Sequence, residues 1–286
     1  MSDFEQSSDS TYVIDAENPA ETARLLEQDR LVTRSMRSLF PVGIDVSAVK
    51  NVIDIACGPG KWACDVAFEN PEAEVMGVDI SETMIRYALS LARSQRLDNV
   101  RFQVMDATKP LDFSADSFDF VNARCIYGLM PRAVWPLFLQ ECLRVTRPGG
   151  FAHLAESEWS ITNSLACERL GELVKQALFR AGLSFPPDGK NLGITTRLSR
   201  LLREAGCQNI RKSVSVLDFS AGEEANNAYS KNLLVAYELV QPFLIKMGVA
   251  GQDELDELLW QMQQDVLHDD FDGLIYILRA WGQKPS

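Results

Sequence analysis

Three aspartates and a tight pair of glycines are the residues best placed to do chemistry in this chain. Asp54 lies in Val52-Ile-Asp-Ile-Ala56-Cys-Gly58-Pro-Gly60, four residues before Gly58. A strand that runs into closely spaced glycines lets the backbone approach a ligand where a Cβ would clash. The helix that follows aims its first amides at the same place. Asp54 in such a turn would repel a pyrophosphate and welcome a cation. Asp79 closes the next apolar run, Glu72–Ile80, and suits the two hydroxyls of a ribose. Asp106, beside Ala107, closes the third run, where a carboxylate can accept from an adenine amino group. In order, the three acids describe a ligand with a cationic end, a ribose and an adenine. Gly58-Pro-Gly60-Lys-Trp-Ala63 alone also fits the dinucleotide fingerprint, with Asp79 at a suitable distance for the ribose. An NAD-dependent oxidoreductase is therefore the competing reading, and the charge of Asp54 argues against it.

The acids need a scaffold, and the hydrophobic pattern supplies one. Strands are predicted over 51–56, 72–80, 99–107, 117–124 and 151–159, and helices over 60–69, 81–96 and 131–145. Ser81 caps the second of these helices, and Glu82 complements its dipole. Strand–helix alternation at this spacing implies a doubly wound, mostly parallel sheet, with ligands beyond the carboxyl ends of its strands. Before it, residues 1–11 read as disordered, and 18–40 as an amphipathic helix capped by Asn18 and ended by Pro41 and Gly43. After it come helices at 164–182, 195–205, 223–247 and 253–267, and strands at 208–219 and 271–284. The expected fold is a Rossmann-like, seven-stranded α/β sheet with an antiparallel last strand and helical lid insertions. Residues 1–45 form the tail and lid in that scheme, and 46–286 the core, with insertions at about 160–193 and 222–268.

The first 160 or so residues resemble class I S-adenosylmethionine-dependent methyltransferases of the ubiquinone-biosynthesis-like, small-molecule branch. The segments that carry the resemblance are Asp-Ile-Ala-Cys-Gly-Pro-Gly (54–60), Val-Asp-Ile-Ser-Glu-Thr-Met-Ile (78–85), Met-Asp-Ala-Thr (105–108), Ser-Phe-Asp-Phe-Val (117–121) and Leu-Arg-Val-Thr-Arg-Pro-Gly-Gly-Phe (143–151). The resemblance implies S-adenosylmethionine as cofactor and S-adenosylhomocysteine as product. It places Asp54, Gly58 and Gly60 around the methionine end, and Asp79 on the ribose. Ile80 and Met84 fall against the adenine face, Asp106 and Ala107 at its edge, and backbone from Asn122 to Arg124 at the methionine amino group. The chain departs from the family at Ala56, where a glycine is usual, and on that departure a non-catalytic S-adenosylmethionine-binding protein is a second alternative reading. The helix bearing Arg24 and Gln28 is similar to helices that lid the cofactor in secondary-metabolite methyltransferases.

Methyl transfer from a sulfonium needs in-line approach and exclusion of water more than a conspicuous catalytic motif. Candidates for orienting the acceptor or removing its proton are Glu156 and His153 in the fifth strand. Strand alternation puts His153, Ser157 and Trp159 on one face and Glu156 and Glu158 on the other. Tyr127, Trp159, Phe179 and Tyr237 are candidates for an apolar acceptor pocket, which would take a polyketide, quinone, terpenoid or indole-type metabolite.

Bulk properties narrow the partners. A hydrophobic content of 46% suits a globular core. The net charge of −12 and the lack of a basic cluster disfavour nucleic acid and anionic membranes. No apolar run is long enough to span a bilayer, and the acidic start resembles no signal peptide, so a cytoplasmic protein is expected. Six scattered cysteines and two histidines offer no zinc-ligand spacing, so no metal is expected. The exposed amphipathic helices leave room for a homodimer.

Overall fold

A computed structural model describes residues 13–286; the segment 1–11, expected to be disordered, lies outside the described residues. The elements follow in the order α1 (Pro19–Met36), β1 (Asn51–Ile55), α2 (Lys61–Glu69), β2 (Glu74–Asp79), α3 (Glu82–Ser94), β3 (Val100–Val104) and β4 (Phe118–Arg124). Then come α4 (Trp135–Val145), β5 (Thr146–Ser157), β6 (Ile161–Thr162), α5 (Leu165–Arg180), α6 (Ile194–Ala205), β7 (Gln208–Asp218), α7 (Asn226–Lys246), α8 (Gln252–Asp265) and β8 (Gly273–Gln283).

The strands form one sheet in which β3, β2, β1, β4 and β5 run parallel in that order. The last strand, β8, is antiparallel to β5 and to β7, as expected. β6, a two-residue strand that the sequence pattern does not reveal, pairs with the start of β8. Both faces of the sheet are covered. Val52 and Phe120 point into a cluster with Trp62 and Val66 of α2 and Ala92 of α3. Their neighbours Ile53, Ile55, Val121 and Ala123 point the other way, into the larger cluster with Leu139 of α4 and Leu198 of α6. Alternate strand residues thus feed opposite cores, the arrangement a doubly wound sheet requires.

Two expected boundaries shift for local reasons. Helix α1 stops at Met36, not at residue 40, because Arg37 takes a left-handed φ of 58° and returns its N–H to the carbonyl of Arg34. Freed from the helix, Phe40 sets its ring edge-on to Phe120 at 4.9 Å. Helix α4 starts at Trp135 rather than Pro131, since Pro131–Val134 closes a turn through the N–H of Val134 on the carbonyl of Pro131. Asn18 and Ser81 cap α1 and α3 through their side-chain oxygens, as their types predict.

Candidate functional site

A deep cavity of about 260 Å³ opens at the carboxyl ends of β1, β2, β4 and β5 and runs beneath α1 and α7. Its first wall is the turn after β1. Ala56 has a φ of 55° and Gly58 one of 52°, so both residues are left-handed. Alanine at the first position bears the strain that a glycine would not. A Cβ on Gly58 would meet only Leu25, at 3.9 Å, on the open side. A Cβ on Gly60 would lie 2.6 Å from the Cβ of Ala88 and 2.7 Å from the ring of Phe102. Gly60 therefore serves packing of the turn on α3 and β3, and it does not line the cavity.

Asp79 ties this turn to the start of α3: one carboxylate oxygen accepts the N–H of Gly58 at 2.8 Å, the other that of Ser81 at 2.9 Å. Burial raises its pKa against the lowering effect of these amides. Ile80, Met84, Ala107 and Asp106 continue the wall. Asp106 accepts from the N–H and hydroxyl of Thr108 and pairs with Lys109 at 3.0 Å. Burial opposes these contacts, yet they hold its carboxyl below the usual range.

Asp54 is 3% exposed and still reaches the cavity. Desolvation raises its pKa to about 7 against the lowering effects of Arg124 and of Asn122, whose side-chain N–H₂ donates to Asp54 at 2.7 Å. Arg124 ends β4, lies 5.4 Å over the ring of Trp62, donates to Thr33 at 3.0 Å and forms an ion pair with Asp29 of α1. Nε of Arg124 and Oδ2 of Asp29 are buried and have no hydrogen-bond partner among the described residues. Cys125 follows with a φ of 56°, a second left-handed residue at a neighbouring strand end.

The inner wall is apolar. Trp159 Nε1 donates to the hydroxyl of Tyr237 at 2.7 Å, and that hydroxyl donates to the carbonyl of Cys167 at 3.3 Å. Tyr127, Val174, Leu178, Leu233 and Ile277 complete this end. Burial raises the Tyr127 phenol, so it stays neutral. Glu158 also lines the wall, but its carboxylate accepts the N–H groups of Leu192, Gly193 and Thr195 and the Thr195 hydroxyl, which caps α6.

The structure thus brings together Asp54, Ala56, Gly58, Asp79, Ile80, Met84, Asp106, Ala107, Arg124, Tyr127, Trp159 and Tyr237. It keeps five expected residues out of the lining. Gly60 packs; Phe179 sits at the surface, 39% exposed. Asn122 and His153 are buried in the sheet, hydrogen-bonded to one another at 2.6 Å. Glu156, fully buried, accepts the N–H of Ile126 at 2.9 Å and so clamps the loop after β4. For the β5 residues the reason is depth along the strand: His153 and Glu156 are buried beneath the layers on either side of the sheet, and only the run from Ser157, at the strand's end, reaches the cavity. Sequence reasoning missed Asp29 and Cys125, which line the cavity. The buried Glu21–Arg24 pair on α1 was the available signal, because charge inside an apolar stripe marks a face that covers something polar.

Residues 47–182, just under half of the chain, match the family model of a methyltransferase domain. A demethylmenaquinone methyltransferase of Geobacillus kaustophilus is 33% identical over 115 residues, 40% of this chain and 48% of its own. Methyltransferase str2 of Strobilurus tenacellus is 26% identical over 54% of this chain and 52% of its own. The chain spans about half the length of the curated relatives it matches. Among solved structures, the YcgJ protein of Bacillus subtilis has a TM-score of 0.52 at 17% identity, covering 91% of this chain and all of that one. Haemonchus contortus phosphoethanolamine N-methyltransferase 2, in complex with phosphomonomethylethanolamine and S-adenosylhomocysteine, reaches 0.51 at 18%, covering 92% of this chain and 53% of its own. These likenesses concern the fold. Over residues 47–182, then, the chain is similar to methyltransferase domains.

Proposed function

We propose that the protein transfers a methyl group from S-adenosylmethionine to a small apolar or aromatic metabolite. The observation that carries this reading is one continuous cavity, acidic along one wall at Asp54, Asp79 and Asp106 and apolar at the other end around Trp159, Tyr127 and Tyr237. The residues fit the cofactor chemically. Asp54 is a buried carboxylate suited to its ammonium group, Asp79 to its ribose hydroxyls and Asp106 to its adenine amino group, with Ile80 and Met84 beside the ring. The unpartnered Nε of Arg124 and Oδ2 of Asp29 leave hydrogen-bonding capacity at the methionine end. A nicotinamide dinucleotide would set its pyrophosphate near Asp54 and be repelled.

When bound, the cofactor supplies an electron-poor methyl on a sulfonium. The chain binds both partners, aligns the acceptor with that methyl and excludes water. Helices α1 and α7 roof the cavity, and the Trp159–Tyr237 hydrogen bond fixes two aromatic walls with their polar edges already satisfied. The demethylmenaquinone methyltransferases among the relatives support an apolar ring as acceptor. The net charge of −12 favours a small molecule over nucleic acid, and none of the described helices is long and apolar enough to cross a membrane. These features support a cytoplasmic site of action.

Calorimetric titration with S-adenosylmethionine and S-adenosylhomocysteine, with NAD as control, tests the reading. Micromolar binding of both, lost in Asp79→Ala, is expected. Binding of NAD alone, or of none, would overturn it.

A further inference from the structure

Asp54 is the end of a hydrogen-bonded chain that crosses four strands. Asn122 Nδ2 donates to Asp54 Oδ1 at 2.7 Å, and His153 Nδ1 lies 2.6 Å from Asn122 Oδ1. Arg279 Nε lies 3.4 Å from His153 Nε2. Asp54 opposes Asn122, and Asn122 opposes His153, in the register of β1, β4 and β5. Arg279 of β8 opposes Ala155 and reaches back to His153. All four side chains are at most 3% exposed.

The direction of the chain follows from donor chemistry. A guanidinium only donates, so His153 Nε2 must accept. The neutral imidazole then carries its proton on Nδ1 and donates to Asn122 Oδ1, which turns the Asn122 amide N–H₂ toward Asp54. Burial, with the charges of Arg279 and Arg124, pushes His153 well below its ordinary pKa, consistent with a neutral ring. The remaining Arg279 contacts are the Ser38 hydroxyl at 3.1 Å and the carbonyls of Ser38 and Leu39 at 3.5 Å. None of these partners is a carboxylate. The buried cation and the buried anion are therefore joined through two oriented neutral side chains.

We propose that Arg279, acting through His153 and Asn122, is a positioning residue that favours the ionised form of Asp54 and aims it at the cationic end of the cofactor. This rests on the cofactor reading of the cavity. The charged or titratable groups that face Asp54 from packed elements are Arg124 of β4, Asp29 of α1, Asp79 of β2, Cys57 of the turn and Cys64 of α2. Burial raises both thiols, so they are neutral near pH 7. Arg279→Gln leaves all of these in place and removes the distant cation together with its contacts to Ser38 and Leu39, which Arg279→Lys separates by keeping the charge.

The test is the pH profile of S-adenosylhomocysteine affinity between pH 5 and 8, measured by calorimetry on the full chain. In the wild type the acid limb, where affinity falls as Asp54 takes a proton, is expected near pH 7. Arg279→Gln should move that limb upward by about one pH unit, and Arg279→Lys should restore it. His153→Phe keeps a ring against Phe120, breaks the chain and should behave like Arg279→Gln. Equal loss of affinity at every pH, with the limb unmoved, would leave these residues a purely structural role and overturn the proposal. Absence of wild-type binding would instead refute the cofactor reading.

A second arm needs no variant. The chain has only two histidines, so ¹⁵N-histidine spectra can follow His153 directly. A neutral ring protonated on Nδ1 from pH 5 to 9 is expected. The other tautomer, or a ring that titrates near pH 6.5, would sink the proposal.

Discussion

Asp29 on α1 and Arg124 at the end of β4 form an ion pair whose side chains are 14% and 9% exposed, fastening the roof of the cavity to its floor. Removing one member of such a pair leaves an uncompensated charge in a poorly solvated place. Asp29→Asn should cost on the order of 3 kcal/mol, a fall in Tm of roughly 5–10 °C. Differential scanning calorimetry checks this; a change under about 1 °C would mean that the roof does not depend on the pair.

Ala56 offers a prediction of the opposite sign. A left-handed alanine costs about 1–2 kcal/mol, and glycine returns part of that as chain entropy on unfolding, about 0.5–1 kcal/mol. Ala56→Gly, at a φ of 55°, should therefore stabilise the protein by roughly 0.5–1 kcal/mol. Urea denaturation would show a higher midpoint with an unchanged slope.

The two glycines of the turn should fail differently. Gly60→Ala puts a methyl 2.6 Å from Ala88 at a φ of 75°, so stability should drop by about 2–4 kcal/mol. Gly58→Ala meets no close atom and adds mainly backbone strain, about 1–2 kcal/mol, but its methyl projects into the open side of the cavity. Tm should suffer more in the first variant. Among protein that remains folded, S-adenosylhomocysteine affinity should suffer more in the second.

Glu156 should leave a mark on the pH dependence of stability. Burial pushes its carboxyl up to about 8, against the pull of the Ile126 and Tyr127 amides. Between its unfolded value, about 4.3, and 8, the folded state binds more protons than the unfolded one, so stability falls as pH rises, with a slope of up to about 1.4 kcal/mol per pH unit. Asp54, raised to about 7, adds to the same trend. Glu156→Gln removes one contribution: its Tm should exceed that of the wild type at pH 8 and lose the advantage at pH 5. Because Glu156 does not line the cavity, turnover near pH 7 should change little. A large loss of turnover with unchanged cofactor affinity would return Glu156 to the chemistry.

The parallel sheet was legible in part because its first three strands each end in a punctuation mark: Gly58 after β1, Ser81 after β2, Asp106 after β3. Those marks also expose most of the acidic wall. What stayed hidden depends on which way a side chain turns near a strand end. His153 and Glu156 lie within residues of the cavity in sequence, yet both point into the protein. Arg279 could have been noticed as a lone cation in the apolar run Leu274–Trp281, but its partner emerges only once β8 lies beside β5. Asp29 belongs to a helix distant in sequence from every strand, and only tertiary packing sets it against Arg124.

The capping of α6 by Glu158 has a consequence for how such a protein can acquire new substrates. One carboxylate both borders the cavity and anchors a core helix, so exchange at that position alters the cavity only by loosening the scaffold. Helix α7 lines the cavity at Leu233, Ala236 and Val240 with aliphatic side chains; Leu233 and Val240 also pack in the core but, unlike Glu158, cap no helix. The two walls are therefore unequal in their freedom to vary: a change in the cavity's shape has an open route through α7 and a closed one through the end of β5.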